Sequence, residues 1–162
     1  MAKMAVRGIV DNEFLTIAPF VIDQAKKNLY ISTYRLQIHT KSKARNFLNL
    51  YKALIDALGR GVRVHILAQY SEKLGLSPHS NELSMAILKD KGAAVRFLKR
   101  GRISHAKMII CDDDYLIVGS HNWSLSSLTR NFEFSILSNE PATIREAKEH
   151  YFANWEAGII FR

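Results

Sequence analysis

The stretch ISHAKMIICDDDYLIVGSHNWS, from Ile103 to Ser124, carries a histidine and a lysine two residues apart at the head of an apolar run, with a serine and an asparagine beyond a trio of aspartates. Strand side chains alternate between faces. His105 and Lys107 therefore share a face with Ile109 and Cys111, while Ala106, Met108 and Ile110 take the other. A two-residue hairpin loop at Asp113 and Asp114 would set His105 opposite Asn122 and Lys107 opposite Ser120. Opposed residues have Cβ atoms roughly 5 Å apart, so four groups able to serve a phosphate would converge at the open end of the hairpin. A phosphodiester repels anionic attackers, whereas an imidazole, with an ordinary pKa of about 6.5, is a nucleophile that is neutral near pH 7. An ammonium, a carboxamide and a hydroxyl are donors that can hold non-bridging oxygens as charge builds on them.

The elements that position these groups can be traced from periodicity. Helical spacing of Phe14, Ile17, Val21 and Ala25 predicts a helix over residues 12–27, with Pro19 as a kink, followed by a strand over 29–34. Phe47, Leu50, Leu54 and Leu58 make one helical stripe over 45–58, closed by GRG, and a strand over 62–68 follows. A polar segment with Gly75 and Pro78 leads to a helix over 81–89, capped by Ser80 and stopped by Gly92, and then to a strand over 94–98. Such strand–helix–strand units imply parallel strands, right-handed crossovers and helices packed on the sheet. From Ile103 the rhythm changes to consecutive strands over 104–111, 115–120 and 131–137, then a helix over 141–155. The expected class is α/β, a mixed, largely parallel central sheet flanked by helices on both faces, with residues 1–162 forming one domain. On the last of these strands parity sets Asn131, Glu133 and Ser135 against Phe132, Phe134 and Ile136, so Glu133 faces the polar side, where a carboxylate could hold a histidine tautomer.

Composition narrows the function classes. Of 162 residues, 48% are hydrophobic and 23% charged, an ordinary globular balance. A formal charge of +8 favours a polyanionic partner, because clustered Lys and Arg release counterions from phosphates. The single Cys111 excludes an internal disulfide and a multi-cysteine zinc site. No apolar run approaches the ~20 residues of a membrane helix, and the start MAKMAVRGIVDNEF does not resemble a secretory signal. No integral membrane association is expected, and the cytoplasm is the default location, a processed exported form being the alternative.

HAKMIICD fits the pattern HxKx4D through His105, Lys107 and Asp112, and GSHNWS and NFE follow it. This resembles the phospholipase D superfamily, particularly its small single-motif nucleases. A weaker resemblance runs from FLTIAPFVIDQAKKNLYISTY through LIDALGRGVRVHIL to HYFANWEAG. The resemblance implies a mixed sheet between helix layers and a homodimer with its site at the two-fold interface. It also implies that His105 attacks phosphorus to give a phosphohistidine that water hydrolyses. Lys107 and the Asn122 amide would hold the non-bridging oxygens, with a hydroxyl from Ser120. Glu133 would orient His105, and Asp112 would support the strand and turn rather than touch substrate. A nucleophile cannot also protonate the leaving oxygen, so a second histidine is needed. HTKSKARN offers His39 and Lys41, but Asn46 replaces the aspartate and no GSxN follows. The second His105 should therefore come from another chain, since a symmetric dimer brings one patch together twice.

The implied function is that of a metal-independent phosphodiesterase without a cofactor, an endonuclease acting on DNA and/or RNA. Lys41, Lys43, Lys99, Arg100 and Arg102 are candidates for a basic rim along a nucleic-acid backbone. Three alternatives stand beside this. The first is a phospholipid phosphodiesterase or phosphatidyltransferase, and the second is a catalytically silent nucleic-acid-binding module. The third treats each feature as structural: a solvated charge run, turn aspartates, and Tyr34, Tyr70 and Trp123 as core aromatics rather than base-stacking platforms. Asp112 to Asp114 are expected to be turn residues and not a cation site, because Lys107 would repel a metal. Cys111 lies roughly 20 Å along an extended strand from His105, too far for a couple, and should be buried and inert.

Overall fold

Alternating apolar residues and helical stripes build the elements of the computed structural model, which describes residues 6–37, 45–70, 80–99, 101 and 103–161. In chain order they are β1 (Val6–Val10), a one-turn 3-10 helix (Asp11–Glu13), α1 (Phe14–Asp23), β2 (Asn28–Thr33), α2 (Arg45–Gly59), β3 (Arg63–Ala68), α3 (Ser80–Asp90) and β4 (Ala94–Phe97). Then follow β5 (Lys107–Cys111), β6 (Tyr115–Gly119), α4 (Leu125–Thr129), β7 (Phe134–Ser138), α5 (Pro141–Glu156) and β8 (Ile159–Ile160). One eight-stranded sheet has the order β1-β7-β6-β5-β2-β3-β4-β8. Ile31, Ile66, Ile109 and Ile117 turn to the face covered by α1, α2 and α3, whose Val21, Leu54 and Met85 are buried there. Tyr30, Leu67, Met108 and Leu116 turn to the other face, under Ile144 and Tyr151 of α5. The mixed sheet between helix layers is as expected.

Its proportions are not. Between strands, parallel pairing is confined to β2–β3 and β3–β4, and the other five strand pairings among the described residues are antiparallel. Only α2 and α3 act as crossovers between neighbouring parallel strands. The three-residue turn after β5 forces reversal there, and antiparallel pairing of β1 with β7, β5 with β2 and β8 with β4 makes the sheet largely antiparallel. β1, β8 and the five-residue α4 have no counterpart in the periodicity reading.

The β5–β6 hairpin also differs from expectation by one residue. Cys111 pairs with Tyr115 and Lys107 with Gly119, leaving a three-residue loop of Asp112 to Asp114. Asp112 leaves the ladder because its carboxylate is occupied elsewhere. Oδ2 accepts from Lys26 N at 2.8 Å, and Oδ1 accepts from Lys27 N at 3.1 Å and Asn28 N at 2.7 Å. These bonds end the first helix early and start β2, so residues 24–27 are not helical. Asp112 has φ of 51°, a left-handed conformation that Asp tolerates better than Ala. Asp112→Ala is expected to cost about 3 kcal/mol, from charge-assisted hydrogen bonds plus backbone strain. Asp112→Asn should cost about half as much, and urea unfolding of the two variants measures the difference.

Candidate active site

The ladder between β5 and β6 ends at Lys107 and Gly119, so His105 and Asn122 are not paired across it. Each is placed by other means. Ser104 N donates to Gln69 Oε1 at 2.8 Å, which fixes the residue before His105. Gln69 is in turn tied to Asn81, whose Nδ2 donates to Gln69 O at 2.7 Å and to Tyr34 O at 3.0 Å, while its Oδ1 accepts from Leu36 N at 2.9 Å. Asn81 is buried in the first turn of α3 and clamps the chain leaving β2 to the chain leaving β3. Tyr34 in that clamp has its ring 5.9 Å from the His105 ring and 5.6 Å from Lys107 Nζ.

His105 is exposed, while Lys107 is buried. Lys107 Nζ donates to the carbonyl of His105 at 2.7 Å, which holds the ammonium beside the imidazole's own backbone. Burial lowers the Lys107 pKa from its ordinary value, and the Glu133 charge opposes that shift. Asn122 Oδ1 accepts from Arg35 N at 3.1 Å, and Asn122 N donates to Ser127 Oγ at 2.9 Å. With the oxygen committed, the amide nitrogen of Asn122 is the end available for an acceptor.

Glu133 turns inward, as parity indicated, although it precedes β7 rather than lying within it. Its carboxylate accepts from Ser120 Oγ, from Ser127 Oγ at 2.7 Å and from Asn131 Nδ2 at 3.1 Å. Burial pushes its pKa up, but those three donors and the nearby His121 outweigh burial and hold it below the ordinary value. Glu133 is therefore ionised at neutral pH. Oε1 takes Ser127 and Asn131 and Oε2 takes Ser120, so of about four acceptor positions one remains on Oε2. Ser120 is exposed, donates to Glu133 and accepts from Phe134 N at 3.0 Å.

The remaining expectations divide. Asp112 follows the far end of β5 and its carboxylate binds the amides of Lys26, Lys27 and Asn28 where β2 begins, in keeping with a supporting part. Cys111 is buried, and burial together with Asp112 and Asp114 pushes its thiol up to about 12, so it is inert. Trp123 is a core residue, Tyr70 packs against the core, and Tyr34 alone of the three aromatics meets the site. Lys99 is exposed; His39, Lys41, Lys43, Arg100 and Arg102 lie outside the described residues. Sequence reasoning missed Asn81 and Gln69, whose importance comes from contacts between distant loops. It also missed Ser127 and Asn131, for which the polar run NWSLSSLTRN beside Glu133 was the available signal.

His121, inside the same GSHNWS segment, is structural. It is buried, stacks on Phe14 at 4.6 Å, donates from Nε2 to Asp11 O at 2.8 Å and accepts at Nδ1 from Ser135 Oγ at 2.7 Å.

A family model described as "Cardiolipin synthase, PLD-like domain" matches residues 20–155. The chain belongs to the phospholipase D superfamily. Among curated superfamily members, "Phospholipase D" of Rickettsia felis is 32% identical over 134 residues, 83% of this chain. The chain spans 58% of that relative's length. Nuc of Salmonella typhimurium, a solved phospholipase D family member, superposes with a TM-score of 0.82 at 24% identity, covering 99% of both chains. NucT from Helicobacter pylori gives a TM-score of 0.76 at 21% identity, covering 98% of this chain and 100% of that one.

One buried and one half-buried histidine of this phospholipase D-like chain set a pH dependence. Burial lowers the pKa of both His121 and His65 from the ordinary 6.5. The unfolded chain therefore takes up protons first as pH falls. Their contribution to stability is full above about pH 6.5 and is lost as pH falls from there through the folded values. Glu133, held below its ordinary 4.5, contributes stability that is lost at lower pH still. The urea midpoint should fall in two stages on acidification, and His121→Asn should flatten the first stage whatever it does to stability at pH 8. A midpoint independent of pH between 7 and 5 would contradict this.

Proposed function

We propose that the chain is a metal-independent phosphodiesterase that hydrolyses DNA and/or RNA as an endonuclease, through a phosphohistidine formed in a homodimer. The observation that carries this is the disposition of donors around one exposed imidazole. Lys107 and the Asn122 amide are each anchored through backbone groups, and both keep N–H groups to give. Such pre-set donors stabilise charge developing on phosphate oxygens without reorganisation.

In the first step a lone pair of the neutral His105 ring forms a bond to phosphorus and the bond to the leaving oxygen breaks. His105 of a second copy gives that oxygen its proton. In the second step the same imidazole of the second copy takes a proton from water, whose oxygen attacks phosphorus and releases His105. Lys107 and Asn122 hold the oxygens in both steps, Ser120 spends its one O–H on fixing Glu133, and the open acceptor position on Glu133 can receive an imidazole N–H. Lys107 supplies positive charge where other phosphodiesterases use a cation, and it would repel one.

An apolar patch supports the dimer. Phe132 is 91% exposed, and Phe134, opposed to Val10 across β1 and β7, shares its exposed face. These residues flank Glu133 and adjoin Ser120, so a second copy covering them would bring its own His105 to the same place. The strongly basic chain and the names of Nuc and NucT support a nucleic-acid substrate. The names of the family model and of the Rickettsia relative favour a second reading, a phospholipid phosphodiesterase or phosphatidyltransferase. Among the described residues no helix is long and apolar enough to cross a membrane.

Labelled single- and double-stranded DNA and RNA, and phospholipid vesicles, incubated with the protein in excess EDTA separate these readings. Nucleic acid should be cut with KM rising steeply with salt, and specific activity should fall on dilution as dimers part. Turnover of vesicles alone would replace the nuclease reading with the lipid one.

A further inference from the structure

A cavity of about 120 Å³ opens beside His105 on the face of the sheet that α5 covers. Leu67, Leu98 and Met108 give it apolar walls, and Ser104, Tyr151 and Asn154 supply polar groups. Met108 belongs to the cluster beneath α5, whereas its neighbour Lys107 turns to the opposite face. The cavity and the Lys107 donor thus lie on two sides of the strand that follows His105.

Among the described residues no Asp, Glu, Lys or Arg lines the cavity, and its titratable lining groups are His105 and His150, so a neutral part of the substrate suits it better than a cationic group. Its polar groups are not spent on one another. The Tyr151 hydroxyl is buried without a hydrogen-bond partner, an unsatisfied state that a ligand would relieve. Asn154 Nδ2 donates to His150 O at 2.8 Å, which leaves its Oδ1 as an acceptor. Ser104 is held by its backbone N–H to Gln69, which fixes that rim. An engineered cavity of about 150 Å³ with apolar walls holds benzene, so this smaller but open one takes at most a single six-membered ring, with its substituents at the mouth, and excludes a fused pair.

We propose that the cavity receives a pyrimidine base next to the scissile phosphate, an inference that rests on the nucleic-acid reading above. A pyrimidine is flat and neutral. Its faces suit Leu67, Leu98 and Met108, and its edge carries both donors and acceptors for Tyr151, Asn154 and Ser104. A choline or ethanolamine group would find no carboxylate, and a glycerol would leave the apolar walls unfilled. A base enters only when unstacked and unpaired, so single strands are the better substrates.

The test uses single-stranded oligonucleotides with one cleavable linkage, flanked by a pyrimidine, a purine or an abasic residue. The pyrimidine-flanked linkage should be cut about tenfold faster in kcat/KM than the abasic one, as loss of one or two hydrogen bonds and an apolar contact requires. Tyr151→Phe, which removes an unpartnered hydroxyl without opening a void, and Asn154→Leu on the half-buried side of α5 should both draw that ratio towards one through KM. Melting temperatures confirm that both variants fold. Equal rates for wild type at pyrimidine and abasic linkages, or ratios unmoved in both variants, overturn the base subsite and leave the nuclease reading intact. Cleavage of none of the oligonucleotides by wild type overturns both.

Discussion

His105→Ala is expected to lower phosphodiester turnover by about 10⁴-fold or more, the scale found when the nucleophile of a covalent mechanism is deleted. The fold should be unaffected. The ring is exposed, its aromatic neighbour Tyr34 is 5.9 Å away, and no hydrogen bond of the imidazole is formed among the described residues. Removal of such a side chain changes stability by no more than about 0.5 kcal/mol. Activity and folding are thereby separated in a way that Lys107 does not permit, since Lys107 is buried and bonded to the His105 carbonyl. Kinetics on single-stranded DNA in EDTA, with a thermal melt of the same preparation, checks the prediction. A loss under tenfold with an unchanged melt would remove His105 from the chemistry.

Gly119→Ala should be the most damaging single methyl that can be added near the site. A Cβ at Gly119 would lie 2.3 Å from Ser135 Oγ, 2.4 Å from Ser135 Cα and 2.5 Å from Phe134 O. Two of those atoms belong to the backbone of β7, which pairs with β6 at this very position. A side-chain rotation cannot relieve the clash, so the strands must part, at a cost of about 3 kcal/mol or more. The damage reaches the site, because Ser120 and Ser135 on the displaced backbones hold Glu133 and His121. Gly59→Ala is the control, since nothing lies within 4 Å of its added methyl. Urea unfolding should show a large drop for the first variant and a change within about 1 kcal/mol for the second.

Much of this arrangement could be read from residue order. Alternation through HAKMIIC put Lys107 on the face of Ile109 and Cys111, and parity through NFEFS turned Glu133 inward and Phe132 outward. Both are local consequences of strand geometry, and burial against one face enforces them. The hairpin register could not be read that way. It is decided by Asp112, which abandons the ladder to bind the amides of Lys26, Lys27 and Asn28, more than eighty residues earlier. The clamp of Asn81 and Gln69 escaped for the same reason: an Asn in the first turn of a helix looks like a helix start until the chains that it joins are known. β1 was hidden by Gly8 at its centre, where an added Cβ would lie 3.1 Å from the Phe134 ring. The expected sheet was too parallel because β1 and β8 were not foreseen and each adds an antiparallel pair, as does β5 where it lies beside β2.

The central claim is that phosphorus is transferred to His105 before it meets water. The stereochemical course tests this most directly, in EDTA, with a single-stranded oligonucleotide that carries one phosphorothioate linkage of defined configuration and is cleaved in ¹⁸O-water. Two successive displacements, each inverting, predict retention at phosphorus. Inversion would mean a single direct attack by water and would contradict the account.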